Sequence, residues 1–145
     1  MLQKQRDSLI KDISNIMEQA NSPICSIPGI GTWLGAIIVS EIGDISRFKS
    51  ATKLLAYAGL DPSVRQSGNF NATNTRISKR GSKHLRYAIL QASRLIIWNN
   101  TTFHNYYTTK MGQGKSYLNA TGHVANKLTR VIFKLLTENI TFNLS

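Results

Sequence analysis

The chain has 145 residues, of which 41% are hydrophobic and one is cysteine. This length predicts one domain with a real core, and the hydrophobic content excludes wholesale disorder. The best apolar run, GAIIV at 35–39, is too short to cross a membrane, and no apolar segment of a secretory signal follows the N-terminal basic residues. Cys25 has no partner for a disulfide within the chain, which suits a reducing compartment. We therefore expect a cytoplasmic protein.

The net charge of +11 comes from one part of the chain. Residues 1–61 hold six basic and six acidic side chains, whereas residues 62–137 hold twelve basic side chains and no acidic one. Because a solvated surface normally mixes both signs, this distribution predicts a polyanion as the partner. Nucleic acid is favoured over an anionic membrane surface, since a membrane binder would more often pair one basic helix face with bulky apolar residues.

The pattern of residues predicts an all-α fold, because no period-two run and no βαβ rhythm occurs. The first predicted helix spans residues 2–20, where Leu2, Leu9 and Ile16 are seven residues apart. Such a short seam fits two structures equally: a helix packed on its own domain, or a coiled coil with another chain.

The sequence PGIG at Pro28–Gly31 lies between two apolar segments of helical character and predicts the turn of a helix-hairpin-helix element. Gly29 and Gly31 would permit the tight turn, and Thr32 is predicted as the N-cap of a helix that runs to about residue 42. The free N–H groups at that helix start could bind a nucleic-acid phosphate. The alternative is that the glycines only form a corner between helices.

A short helix is predicted over residues 50–57, followed by a polar loop from 60 to about 77. A strong helix follows from Ser82 to about residue 99, with its predicted apolar face at Leu85, Ala88, Ile89, Ala92, Leu95 and Ile96. Three basic side chains lie on the outward side of that helix and are predicted to contact phosphate: Lys83, Arg86 and Arg94. Further helices are predicted over 103–111 and 116–138, the last with a buried stripe at Val124, Leu128, Val131, Ile132 and Leu135.

The residues predict no metal site, because the three histidines are scattered and Glu41 and Asp44 are better explained as capping or ion-pair residues. A hydroxyl nucleophile remains possible in the loop. Ser67 is followed by Gly68, which would let a phosphodiester approach closely, and cations surround it in sequence at Arg65, Arg76, Lys79 and Arg80. The residues alone leave Ser63 and Ser78 open as nucleophiles, whereas Ser82 is better explained as a helix cap.

Several ordered segments closely resemble the C-terminal transposase domain of the IS110/IS116/IS902 family of bacterial insertion-sequence transposases. These are SIPGIG, EIGDISRFKSATKLLAYAGLDPSVRQSG, ISKRGSKHLRYAILQAS and ANKLTRVIFKLL, between about residues 24 and 136. The resemblance implies a DNA recombinase in which the serine of the Ser-Gly step, here Ser67, attacks DNA and forms a covalent phosphoserine link. It also implies nucleic-acid contacts by the basic residues of ISKRGSKHLR.

The resemblance further implies a domain plan and partners. Residues 1–21 would be a helical linker or coiled-coil segment, and 22–145 the transposase C-terminal domain. That domain would comprise a helix-hairpin-helix part (22–60), a catalytic loop (61–81) and a basic helical part (82–145). Family members carry an N-terminal RuvC-like domain with an acidic tetrad, which implies Mg²⁺ there and no cofactor in this chain. DNA, a structured guide RNA and a homo-oligomer are the implied partners, with a bacterial, nucleoid-associated location.

The RuvC-like domain is absent from this sequence, and residues 2–20 resemble the end of an interdomain linker, so an internal or engineered start at Met1 is one expectation. We also expect that the chain alone binds nucleic acid without completing recombination. Two further interpretations stay open. The chain could be a non-catalytic nucleic-acid-binding fragment, such as a truncated transposase, a regulator or a relic. It could also be an all-α RNA-binding scaffold.

Overall fold

The structure, a computed structural model, describes residues 2–20, 22–61 and 81–143. These residues form six α-helices and no strand, which confirms the predicted all-α class. The helices are α1 (Leu2–Ala20), α2 (Thr32–Ile42), α3 (Ala51–Tyr57), α4 (Lys83–Asn99), α5 (Thr101–Gly112) and α6 (Tyr117–Glu138). Two short 3₁₀ turns, Pro23–Ser26 and Ile45–Arg47, precede α2 and α3 respectively.

Helix α4 is the centre of the fold. It packs against α2, α5 and α6, while α6 also packs against α3 and α5, and α1 packs against α2. The end of α2 meets the start of α4, where the Ser82 hydroxyl donates to Glu41 Oε2 at 2.9 Å. The turn before α2 meets the other end of α4, at Leu95 and Asn99. Helices α2 and α4 therefore run antiparallel.

Polar side chains begin most of these helices. The side chains of Ser50, Ser82, Asn100 and Ser116 each accept a backbone N–H two or three residues into α3, α4, α5 and α6 respectively. Such caps satisfy N–H groups that have no partner within the helix. The predicted role of Ser82 as a cap is confirmed.

The core lies mainly between α2, α4 and α6. It includes Ile38 and Ile42 from α2, and the stripes of α4 and α6 that periodicity predicted. Leu95 was wrongly predicted as buried: it is 41% exposed, and Ile97 is buried in its place. Val131 is only partly buried against the core, whereas Val124, Leu128, Ile132 and Leu135 of the predicted α6 stripe are fully within it.

The segment before α2 differs from the predicted helix-hairpin-helix. Only the four-residue 3₁₀ turn Pro23–Ser26 precedes the PGIG turn, so an α-helix there was not confirmed. Thr32 was also wrongly predicted as the N-cap: Gly31 is the N-cap and Thr32 is the first helical residue. The reason is that Gly35 N–H donates to the Gly31 carbonyl at 3.0 Å, which starts the helix one residue earlier.

Candidate nucleic-acid interface

Ser82 is the residue at which three helices of the candidate interface are hydrogen-bonded together, and this position is called the joint below. Its backbone N–H donates to the Tyr57 carbonyl at 2.8 Å, and its hydroxyl oxygen accepts the Leu85 N–H at 3.0 Å while donating to Glu41. One buried serine thus ties together the end of α2, the end of α3 and the start of α4. This joint fixes the position at which α4 begins relative to α3.

Gly81 permits close packing of the backbone at the same joint. A Cβ added to Gly81 would be 2.2 Å from the Tyr57 carbonyl oxygen, a distance that no side chain could occupy without moving the backbone. Tyr57 ends α3, and Leu60 and Asp61 follow within four residues. Gly81 and the residues that directly follow α3 therefore lie beside the same helix end.

Arg86 is the predicted site residue nearest to this joint. Its guanidinium lies against Gly59, where an added Cβ would be 3.3 Å from Nη1 and 3.7 Å from Cδ. Arg86 is half-buried, and Lys83, one turn earlier on α4, is exposed. The positive charge of α4 is therefore concentrated where residues 62–80 are attached.

Arg94 lies farther along α4 and is half-buried. The remaining predicted site residues, namely Arg65, Ser67, Gly68, Arg76, Lys79 and Arg80, lie outside the described residues.

The two predicted glycines of the PGIG turn have different surroundings. Gly29 has φ +86, and a Cβ there would be 3.1 Å from both Leu95 Cβ and Asn99 Nδ2. Its lack of a side chain therefore permits the turn to pack on α4, and this is the corner role that the alternative interpretation described. Gly31 faces open space and caps α2 without a side-chain hydrogen bond. Gly31 and Thr32 are both exposed at that helix start.

Sequence reasoning missed a groove of about 560 Å³ between α1, α2 and α4. Two exposed aromatic side chains border it, Trp33 (44% exposed) and Tyr87 (57% exposed), together with Arg6 and His84. Tyr87 and His84 lie on α4, between or next to its basic residues. The signal in the sequence was the interleaving of an aromatic residue with cations in KHLRYAILQASR at 83–94.

Sequence reasoning also stopped at Arg94, although five more basic side chains follow before Glu138: Lys110, Lys115, Lys127, Arg130 and Lys134. Their signal was the same as for α4, namely basic residues without an intervening acid, and Lys127, Arg130 and Lys134 are also spaced three and four residues apart. They lie on α5, on α6 and in the turn that joins them.

Arg47 is a basic residue whose side chain bonds within the fold. Arg47 donates from Nε to the Ile42 carbonyl at 2.8 Å and from Nη2 to the Glu41 carbonyl at 3.0 Å, so it caps the C-terminus of α2. Its guanidinium also lies over the rings of Phe48 and Tyr57, at 4.7 and 4.9 Å from their centroids. Arg47 is therefore a structural residue.

The two acidic residues that sequence reasoning assigned to capping or ion pairing, Asp44 and Glu41, both accept hydrogen bonds within the fold. Asp44 accepts the Ser46 N–H at 2.9 Å, which caps the 3₁₀ turn and lowers the pKa of the Asp44 carboxyl. Glu41 accepts the Ser82 hydroxyl. Across the described ranges, no cluster of three or more histidine, cysteine or carboxylate side chains could hold a metal ion. Within the same ranges, every helix is too short or too polar to cross a membrane.

The fold and its outward cations define a basic, all-helical domain. A family model described as transposase, IS116/IS110/IS902 family, matches residues 21–108, which is more than half of the sequence. The chain belongs to the IS116/IS110/IS902 family of transposases.

Curated relatives give the same relationship over most of the chain. The chain is 29% identical over 139 residues to the 44.8 kDa protein of insertion element IS116 from Streptomyces clavuligerus, covering 96% of this chain and 34% of that protein. It is 29% identical over 143 residues to the pilin gene-inverting protein of Moraxella bovis, covering 96% and 44% respectively. It is 25% identical over 146 residues to the transposase for IS1328 of Yersinia enterocolitica, covering 97% and 43%. The chain thus spans between a third and a half of the length of these relatives.

Proposed function

We propose that this chain is the DNA-binding, serine-nucleophile part of an insertion-sequence transposase, and that Ser67 attacks a DNA phosphodiester. The observation that carries the proposal is the joint at Ser82. Gly59 and Gly81, described residues on either side of the segment that contains Ser67, both lie at the basic start of α4, in a chain that belongs to a transposase family.

The proposed step is a transesterification that conserves the number of phosphate ester bonds. The Ser67 hydroxyl oxygen forms a bond to phosphorus, and the bond from phosphorus to one bridging sugar oxygen breaks. The serine proton ends on that leaving oxygen, either directly or through a base. The product is a phosphoserine ester and a free DNA end, with no change in oxidation state. Reversal with a different DNA end would rejoin strands.

The cations around the joint suit this step. Negative charge increases on the non-bridging phosphate oxygens as the serine attacks, and a guanidinium can donate two parallel hydrogen bonds to them. Arg86 and Lys83 are the described candidates, because they lie at the start of α4 near the attachment points of the segment. Arg65, Arg76, Lys79 and Arg80 would add charge from the segment itself.

DNA binding is also supported by the groove beside α4. Exposed aromatic rings next to cations can stack on unpaired bases while the cations hold the backbone. Trp33 and Tyr87 are exposed rings of this kind. Because phosphate contacts position nucleic acid without reading its sequence, contacts along α4 would orient the DNA rather than select the target.

The partners and the domain plan are proposals from the family resemblance. A structured guide RNA and assembly into a homo-oligomer would accompany DNA, and a RuvC-like domain with Mg²⁺ would supply the rest of each active site. Residues 61–81 would act as the catalytic loop and residues 82–145 as the basic helical part. Recombination would take place on bacterial DNA, in the nucleoid.

A non-catalytic nucleic-acid-binding module is the second candidate. It would use the same cations but leave Ser67 unmodified. This candidate is favoured by the sequence around Ser67, where no histidine or carboxylate stands beside the serine to act as its base. The two candidates share every binding prediction and differ only in the covalent step.

Trapping of covalent protein–DNA complexes separates them. The chain is joined to the N-terminal part of a full-length transposase of the family, mixed with labelled element-end DNA and guide RNA, and denatured before electrophoresis. Labelled DNA that stays with the protein is expected for the parent. The Ser67→Ala variant is expected to lose it, while Ser63→Ala and Ser78→Ala, two serines of the same segment, keep it. A covalent complex that persists in Ser67→Ala would remove Ser67 from the mechanism.

A further inference from the structure

Helix α6 carries a row of cationic or titratable side chains opposite its buried stripe: His123, Lys127, Arg130 and Lys134. Their spacing of four, three and four residues aligns them along one helix face over about 17 Å. Arg130 and Lys134 are exposed, and His123 and Lys127 are half-buried. The apolar side of the same helix is in the core, at positions such as Val124, Leu128 and Ile132.

Helix α5 adds one cation, Lys110, beside this row. Lys127 Nζ lies 5.0 Å from the centroid of the Tyr106 ring, and Lys110 Nζ lies 5.4 Å from the same centroid. Two ammonium groups from different helices thus share one aromatic ring. A ring attracts a cation by its face, but it does not neutralise the charge. The fold therefore brings like charges together here.

The His123 ring reports the resulting potential. Partial burial lowers its pKa, and so do the positive charges of Lys110 on α5 and Lys115 in the α5–α6 turn. The ring thus lies in a positive field supplied by α5 and by the α5–α6 turn.

The neighbouring sequence offers little counter-charge. Between Asp61 and Glu138 the chain has no acidic residue, so α4, α5 and α6 up to residue 137 contribute no carboxylate to this surface. Glu138, the last residue of α6, stands four residues after Lys134 and can offset the charge at that end of the row. Like charges one turn apart on a helix destabilise it. A row of four such side chains with one acid at its end is better explained by an external anion than by solvation alone.

Resting on the proposed function, we propose that this surface, hereafter the α5–α6 surface, binds the phosphodiester backbone of nucleic acid in addition to the α4 face. It comprises Lys110, Lys115, His123, Lys127, Arg130 and Lys134. The chemistry is that of a phosphate ladder met by a row of cations about 17 Å long.

A nucleic-acid backbone fits this surface better than an anionic membrane does. A helix that lies in a membrane surface presents bulky apolar residues beside its cations. The apolar stripe of α6 is instead packed into the core against α3, α4 and α5. Met111, Tyr117 and Leu118 are exposed at the α5–α6 turn, but between residues 119 and 138 no large apolar side chain of α6 is exposed. A row of cations without exposed apolar residues along it suits a partner that offers phosphates alone.

The main test is the salt dependence of binding, measured by fluorescence anisotropy with a 20-base-pair DNA duplex and, separately, with an RNA hairpin of similar length. The variant Lys127→Gln/Arg130→Gln/Lys134→Gln is compared with the control Lys4→Gln/Lys11→Gln/Lys53→Gln. Both variants lose three charges, and all three control lysines are exposed in the balanced part of the chain.

Each lost phosphate contact on a duplex reduces the slope of log affinity against log salt by about 0.9. We expect the α6 variant to reduce it by about two to three and the control to leave it unchanged. The charge-retaining variant Lys127→Arg/Arg130→Lys/Lys134→Arg is expected to keep the parental slope, which separates charge from folding. A slope in the α6 variant equal to that of the control would overturn the proposal.

The other outcomes are also decisive. A loss confined to duplex DNA or to the RNA hairpin identifies which backbone the surface takes. If the α6 variant loses binding only to vesicles of anionic phospholipid, the surface is a lipid site and the proposal is wrong. If the unmodified chain binds neither nucleic acid in a salt-dependent manner, the proposed function fails as well. If Lys83→Gln/Arg94→Gln reduces the slope but the α6 variant does not, only this inference fails.

A second readout comes from the histidines. Nuclear magnetic resonance titration of His84, His104 and His123 should show a rise in the pKa of His123 when DNA is added, because a bound phosphate offsets the surrounding cations. In the α6 variant the added DNA should move the pKa of His123 less. An unchanged His123 pKa at saturating DNA would contradict the proposed surface.

Discussion

The two parts of the chain on either side of residues 62–80 use charged side chains in opposite ways. Before that segment, the two signs are balanced and three charged side chains bond within the fold: Arg47 caps α2 and covers two rings, Asp44 caps a 3₁₀ turn, and Glu41 accepts the Ser82 hydroxyl. After it, α4 and α6 carry cations on their outer faces while acids are missing from the sequence until Glu138. Whether a guanidinium bonds within the fold or stays open to a partner therefore depends on the groups around it and not on its residue type.

The largest expected effect concerns the joint between the two parts. Gly81→Ala places a Cβ 2.2 Å from the Tyr57 carbonyl oxygen, so α3 and α4 must separate. We expect a loss of about 3 kcal/mol in the free energy of unfolding, at the upper end for overpacking. Urea denaturation measures it. Gly112→Ala, where an added Cβ meets open space, is the control and should be neutral or slightly stabilising. Equal stability of the two variants would show that the joint is not closely packed.

Ser82→Ala should come next. It removes the cap of α4 and leaves Glu41 without its hydroxyl donor, while the backbone bond to Tyr57 remains. We expect a loss of about 2 kcal/mol, against about 1 kcal/mol for Ser116→Ala, which removes an exposed cap alone. Thermal and urea unfolding of both variants check the difference. A smaller loss at Ser82 than at Ser116 would mean that the hydrogen bond to Glu41 contributes nothing.

A pair of cation variants tests the comparison itself. Arg47→Ala should cost about 1 to 2 kcal/mol of stability, since it loses two hydrogen bonds at a helix end and two ring contacts, and should leave the salt dependence of DNA binding unchanged. Lys83→Gln/Arg94→Gln should do the reverse. Stability and salt slope are measured on the same samples. If both variants change the same quantity, the division between structural and ligand-directed charge is wrong.

The smallest expected effect is in the pH dependence of stability. Because the pKa of His123 is lowered in the folded state, the unfolded chain takes up this proton first as the pH falls below the ordinary histidine value of 6.5. Stability should therefore decline in that range, and His123→Gln should remove part of the decline. Asp44 acts in a separate range: its lowered carboxyl pKa contributes stability that is lost only below about its ordinary value of 3.8. A decline unchanged in His123→Gln would exclude His123 as its source.

Periodicity and capping predicted the frame of the second part well. Apolar spacing of three and four residues predicted most of the buried face of α4 and the buried stripe of α6. The position of Ser82 before that pattern predicted the cap and the start of α4. The prediction that Leu95 is buried was wrong, because the apolar pattern of one helix does not show where the neighbouring elements end. The turn at Gly29 reaches Leu95 but leaves it 41% exposed.

The structure of the part before residue 62 was harder to predict. It depends either on local backbone geometry or on contacts between residues that are far apart in the sequence. The segment before PGIG is one 3₁₀ turn, since Pro23 and Ser22 start a turn whose hydrogen bonds end at Ile27. Arg47 could not be recognised as structural, because its ring partner Tyr57 is ten residues away and comes close only through folding. Ser67 was chosen by resemblance to a family, and its role stays a prediction.

The most direct test of the account is the salt dependence of nucleic-acid binding by the unmodified chain. If the cations after residue 61 contact about six phosphates, the affinity for a DNA duplex should fall roughly a thousandfold between about 50 and 200 mM salt. An affinity that hardly changes over this range would contradict the claim that the acid-free part of the chain is built to hold a nucleic-acid backbone.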